Sequence, residues 1–182
     1  MRKVIMNLAV SLDGFIEGPN GEYDWCFNDQ DYGMEDFYSH TDTMFIGRKS
    51  FEVIRADLNL FPVPNIYVFS DTITPLAGEN IQVVSNAGFD AVINEVLNAP
   101  GGDIWLFGGA ELIAEMMNRR LVAEMLLAVH PVVLGGGKPL FNGIQERVDM
   151  TLLDSRTYDT GLVQLRYTLS PKFDLSQLHL LG

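Results

Sequence analysis

Asp103-Ile104-Trp105-Leu106-Phe107-Gly108-Gly109-Ala110-Glu111-Leu112-Ile113 reads as a buried strand that runs through two glycines directly into a helix. The first turn of a helix leaves backbone N–H groups unpaired and carries a partial positive charge, which favours anions. Glycines, having no Cβ, let a pyrophosphate approach the backbone closely. Glu111 suits the helix dipole but would compete with a phosphate bound there. By itself the stretch fits either a phosphate cradle or a tight turn that needs glycine.

Working outward, Phe89, Val92, Ile93, Val96 and Leu97 recur at the spacing of a core-facing helical stripe. Leu112, Ile113, Met116, Met117 and Leu121 do the same on the following helix, so its methionines read as packing. Strands are expected at residues 4–10, 43–47, 65–69, 81–84 and 103–107, and further helices over 34–39 and 50–58. Residues 13–14 form a turn and 17–31 a polar loop. Residues 122–134 read as a long apolar strand region ending in Gly135-Gly136-Gly137, and 150–169 as a hairpin turning near Asp159-Thr160-Gly161. Alternating strands and helices followed by antiparallel strands predict an α/β fold with a mixed, mostly parallel sheet. One domain over residues 1–170 and a tail over 171–182 account for the chain, with no linker or internal repeat.

The 182 residues are 47% hydrophobic and 20% charged, as in an ordinary globular domain. A net charge of −12 disfavours nucleic acid and anionic membrane surfaces as partners. Cys26 is the only cysteine, and His40, His130 and His179 lack zinc-ligand spacing, so no metal is expected and a reducing, cytoplasmic setting fits. The apolar run over 4–10 is too short for a membrane helix and is not followed by a signal-cleavage pattern.

Two further segments carry chemistry. Ile46-Gly47-Arg48-Lys49-Ser50-Phe51-Glu52 is another strand-to-helix junction with two cations and a hydroxyl, suited either to a phosphate or to a solvated basic pair beside a helix cap. Val68-Phe69-Ser70-Asp71 ends a strand, where ligands of open α/β sheets collect. Ser70 suits a nucleotide's sugar or phosphate, or a turn cap, whereas Asp71 favours an unphosphorylated ribose and keeps NADH open beside NADPH.

These segments, with Ser11-Leu12-Asp13-Gly14-Phe15-Ile16 and Pro131-Val132-Val133-Leu134-Gly135-Gly136-Gly137, follow one another in the order found in the dihydrofolate-reductase-like superfamily. The chain most resembles stand-alone relatives of the RibD C-terminal reductase of riboflavin biosynthesis. The resemblance implies a mixed sheet of about eight strands with helices on both faces and a C-terminal antiparallel hairpin. It implies an NADPH-dependent oxidoreductase acting on a small heterocycle, of the 5-amino-6-(5-phosphoribosylamino)uracil reductase type. Dihydrofolate reduction and a non-catalytic nucleotide-binding module are the alternatives.

Carried over by position, Gly47, Arg48, Lys49 and Ser50 would bind the adenosine-side phosphates, and Ser70 and Asp71 would flank the adenosine. Phe107, Gly108, Gly109, Ala110, Glu111 and Leu112 would lie along the pyrophosphate, while Ala9 and Ile16 would border the nicotinamide. Asp13 and Trp25 are the substrate-side candidates; Asp13, Asp29 and Asp31 are the candidate acids. Phe15 stands where the riboflavin reductase usually has a basic residue, a departure that bears on a phosphoribosyl substrate. Such relatives often form homodimers.

Overall fold

The computed structural model describes residues 1–74 and 81–169, so the expected tail lies outside the described residues. Eight strands make one sheet. They are β1 (Val4–Ser11), β3 (Thr41–Gly47), β4 (Asn65–Phe69), β5 (Ile81–Val84), β6 (Asp103–Gly108), β7 (Glu124–His130), β9 (Thr151–Thr157) and β10 (Val163–Thr168). Their spatial order is β5-β4-β3-β6-β1-β7-β10-β9. The first six run parallel, and β10 pairs antiparallel with both β7 and β9. Two short strands, β2 (Phe15–Glu17) and β8 (Lys138–Pro139), form a separate antiparallel pair that the sequence did not announce.

Helices cover both faces because apolar side chains of the parallel strands must be buried on each side. On one face α3 (Phe89–Asn98) and α4 (Ala110–Asn118) pack Ile93, Val96, Ile113 and Met116 against Met6, Phe45, Ile104 and Leu106. On the other, Phe37 of α1 (Met34–His40) and Phe51 of α2 (Arg48–Ile54) pack against Met44, Ile46 and Trp105. Residues 104–106 thus alternate between the two cores, as a strand's period of two requires.

Two expected elements are shorter than the apolar pattern predicts. The helix over 50–58 begins earlier, at Arg48, and ends at Ile54; a 3₁₀ turn over Arg55–Leu60 follows, broken at Asp57, whose φ/ψ of −117°/20° is non-helical. The strand expected over 122–134 stops at His130, because Pro131 has no N–H to give to a ladder. Among the described residues, no helix is long and apolar enough to cross a membrane.

At the sheet's far end, Glu124 accepts from Lys3 Nζ at 2.8 Å and from Arg166 Nε at 2.8 Å, joining the start of β1 to β7 and β10. Burial alone would raise the Glu124 carboxyl, but hydrogen bonds and charge from Lys3 and Arg166 outweigh it and hold it below the usual glutamate range. A carboxyl lowered by folding stabilises above its unfolded pKa, about 4.3, and that stability is lost as pH falls through the folded value. Glu124→Gln is expected to cost about 1 kcal/mol at pH 7, since both cations are half-exposed, and to flatten the stability loss below about pH 4.3. Urea denaturation at pH 7 and in the acid range tests this; an unaltered acid limb in the variant contradicts it.

Candidate functional site

The parallel pairing of β3 and β6 sets Ile46 opposite Gly108, so that the two strand-to-helix junctions meet at one edge of the sheet. Their contact is tight for any side chain. A Cβ on Gly47 would stand 3.3 Å from the Gly109 N atom and 3.5 Å from the Gly108 carbonyl oxygen. A Cβ on Gly109 would stand 3.0 Å from Ser50 Oγ. The helices then diverge, α2 to one face and α4 to the other, while their first turns border the same opening.

That opening is a cleft of about 600 Å³, within the range of small-molecule sites. Gly47, Arg48, Lys49, Ser50, Ser70, Asp71, Gly109, Ala110, Glu111 and Leu112 line it, so most of the expected cofactor residues are brought together by three strand ends. No side chain caps the N-terminus of α4, which leaves its first N–H groups open to a ligand. Glu111 does not crowd them: its side chain is 87% exposed and lies 3.7 Å from Lys49 Nζ. Arg48 Nη1 is held by both carboxylate oxygens of Glu52, at 3.0 Å each.

The third segment is built as a turn. Ser70 Oγ accepts from the N–H groups of Thr72 and Ile73, at 3.1 and 3.0 Å, and Asp71 accepts the Asn86 N–H at 2.8 Å. Asp71 therefore ties the end of β4 to the 3₁₀ turn Asn86–Gly88 that precedes α3 and brings Asn86 into the cleft wall. Asn86, Phe89, Arg119 and Lys138 also line the cleft; the sequence places Phe89 in a core-facing stripe and assigns none of the four a role in the site. The one available signal was Gly137-Lys138, which stands next to the glycine-rich segment.

The remaining candidates lie outside this lining. Phe107 points to the opposite core face and packs against Trp105 and Phe61, with ring centroids 5.0 and 5.6 Å apart. Gly108 is joined to Gly109 by a cis peptide bond. Ala9 on β1 and Ile16 on β2 are partly buried on either side of the turn that carries Asp13.

Asp13 is occupied by its own surroundings. It accepts from Ser11 Oγ at 2.6 Å and from the N–H groups of Leu134 and Gly135 at 3.1 and 2.8 Å. The Ser11 hydroxyl, followed by those amides, holds the Asp13 carboxyl below its ordinary value despite some desolvation. Asp31 accepts from the N–H groups of Gly33 and Glu35, each at 2.8 Å, and so caps the start of α1. Asp29 accepts from Tyr32 Oη at 2.7 Å. Each of the three expected acids thus has a structural bond, and none lines the cleft.

Trp25 sits in a loop that His130 fastens to the end of β7. His130 is 2% exposed; its Nε2 accepts the Phe27 N–H at 3.0 Å, which assigns the proton to Nδ1 for donation to the Ala128 carbonyl at 2.9 Å. The rings of Trp25 and Phe27 meet the imidazole edge-on at 5.3 and 5.0 Å. In the same loop, burial and then Asp24 push the Cys26 thiol up to about 11, which keeps it protonated.

Burial lowers the His130 pKa, outweighing backbone hydrogen bonds that raise it. The unfolded imidazole binds a proton near pH 6.5 while the native one resists, so stability is full above that pH and falls as pH drops toward the folded value. Protonated Nε2 can no longer accept from Phe27, and the loop loses its fastening. Trp25 emission is expected to shift to the red at some pH below the ordinary imidazole value of about 6.5, with no such shift in Trp25→Phe; a profile that stays flat until the chain unfolds in acid contradicts this.

Comparison with known proteins follows the same lines. The model of the RibD C-terminal domain family matches residues 2–164. The uncharacterized protein YyaP of Bacillus subtilis (strain 168) is 41% identical over 179 residues, covering 91% of this chain and 94% of that protein. A solved structure of a candidate riboflavin biosynthesis protein from Shewanella sp. PV-4 has a TM-score of 0.78 at 25% identity, covering 92% of this chain and 98% of that one. A Thermotoga maritima diaminohydroxyphosphoribosylaminopyrimidine deaminase/5-amino-6-(5-phosphoribosylamino)uracil reductase shares the fold, with a TM-score of 0.73 at 12% identity. The match covers 92% of this chain and 56% of that longer protein.

Proposed function

The chain belongs to the RibD C-terminal domain family, and from that premise we propose that it is an NADPH-dependent reductase of a small heterocycle, of the riboflavin-pathway type. The observation that carries this reading is the contact between Gly47 and Gly109, which lays two bare stretches of backbone and the Ser50 hydroxyl around one opening. A dinucleotide's anionic groups suit such a cradle, because N–H groups and a helix N-terminus favour negative charge without needing space for side chains.

The residues divide the work by position. The first turn of α4, over Gly109 to Leu112, would hold the pyrophosphate, with Ser50 beside it. Arg48 and Lys49 would take the 2′-phosphate of the adenosine half; their pairs with Glu52 and Glu111 are exposed and worth about 0–1 kcal/mol, so a phosphate can replace those partners. Ala9 and Ile16 would border the nicotinamide beside the turn after β1. When bound, reduced nicotinamide supplies the hydride for a carbon–nitrogen double bond or a carbonyl. The protein's contribution is to fix the two reactants in register.

The acids give a specific reason to keep a second reading. Asp13, Asp29 and Asp31 all serve turns, caps or loop ties, so the proton of a reduction would come from water. The same arrangement suits a non-catalytic nucleotide-binding module. Phe15, whose strand is taken up in pairing with β8, offers no charge to a substrate phosphate. Association as a homodimer belongs to the same proposal.

Thermal melting with NADPH at about 100 times its dissociation constant is expected to show roughly 2.7 kcal/mol of added stability, and the absence of any shift with either nucleotide overturns the cofactor reading. Loss of nicotinamide absorbance with a ribosylaminopyrimidine, but not with dihydrofolate, then separates the two reductase types. Inactivity with every heterocycle, with binding intact, supports the binding module.

A sharper expectation concerns selectivity. Arg48→Ala should weaken NADPH more than NADH, whereas Glu52→Gln, which releases Arg48, should raise the preference for NADPH by severalfold. Titration of both nucleotides against both variants checks this, and equal changes for the two nucleotides refute the placing of the 2′-phosphate.

A further inference from the structure

Four cations line the cleft, and three of them already have carboxylate partners: Arg48 with Glu52, Lys49 with Glu111, and Arg119 with both Asp90 and Glu115. Lys138 has no ion-pair partner among the described residues. It is half-buried, and its Nζ lies 3.7 Å from the point that a Cβ on Gly109 would occupy. Ser50 Oγ is 3.0 Å from that same point, so an ammonium and a hydroxyl flank the bare Cα of Gly109.

The backbone that carries Lys138 is held firmly. Asp13 grips the N–H groups of Leu134 and Gly135, and Glu17 pairs with Lys138 across the β2–β8 ladder. Leu140 donates to the Gly14 carbonyl at 2.9 Å. Gly137 has a φ of +128°, and a Cβ there would lie 2.1 Å from the Glu17 carbonyl oxygen, so the strap touches β2 with no room for a side chain. A lysine on such a support loses less freedom on gripping an anion than one on a loose loop.

Building on the cofactor reading above, we infer that Lys138 grips the pyrophosphate of the bound dinucleotide, at the point where Gly109 and Ser50 approach it. Lys138 is then a determinant of affinity common to NADPH and NADH, distinct from Arg48 and Lys49 at the 2′-phosphate. Because its strap is bonded to Asp13, the same contact joins the cofactor's phosphates to the turn after β1, on the substrate side.

Isothermal titration of NADPH and of NADH against the full chain, Lys138→Met and Lys138→Arg tests this at low and high salt. Lys138→Met is expected to raise both dissociation constants by the same factor, about tenfold, as for loss of a charge-assisted contact. Lys138→Arg should restore most of the loss, and the salt dependence of binding should be shallower in Lys138→Met. Unchanged constants in Lys138→Met, or a change confined to NADPH, overturn the assignment. Melting curves of the variants without nucleotide identify a folding defect; if Lys138→Met does not fold, a Lys138→Arg chain that folds and binds neither nucleotide contradicts the inference, and one that binds both with the parent's salt slope supports it. An unsubstituted chain that binds neither nucleotide removes the functional reading itself, a different failure from normal binding by the parent and by Lys138→Met alike.

Discussion

The approach of Gly47 to Gly109 is the constraint on which the rest of the site depends. Parallel pairing of β3 with β6 brings two chain turns to the same edge, and the absence of Cβ atoms lets them come within van der Waals contact. One helix then leaves for each face of the sheet, so both cores are anchored to the strands that form the cleft. A methyl group at Gly47 would press on the Gly109 N atom at 3.3 Å and force a shift of the junctions against each other. Fold and opening are therefore a single geometric solution.

Charge is arranged around that opening by short-range pairing. With a net charge of −12, the chain as a whole repels anions at a distance. Exposed pairs such as Arg48 with Glu52 and Lys49 with Glu111 hold cations at the rim in a neutralised form. Under the proposed cofactor reading, a phosphate would replace those carboxylates at small cost, since exposed pairs contribute little. Backbone N–H groups at the start of α4 and Lys138 have no such competitor among the described residues.

The other side of the site is organised by ties between loops. Asp13 connects the turn after β1 to the strap over residues 134–137, and His130 connects the Trp25 loop to the end of β7. Both ties use a side chain that chemistry would otherwise make a candidate acid or base. Their commitment to backbone amides leaves neither Asp13 nor His130 free to act on a reacting atom.

The class of fold and the position of the junctions follow from residue pattern alone. Apolar periodicity identifies strands and helices because burial has a period of two on a strand and 3.6 on a helix, and Gly108-Gly109 and Gly47 mark where backbone must be bare. Three-dimensional contacts set the strand order, the β2–β8 pair, the diversion of Asp13, Asp29 and Asp31 into caps and ties, and the arrival of Lys138 beside Gly109. Asp29 and Asp31 find their partners within four residues, but the other facts depend on residues some 30 to 120 positions apart meeting across the fold, and local pattern carries no information about which distant backbone amide a side chain will find.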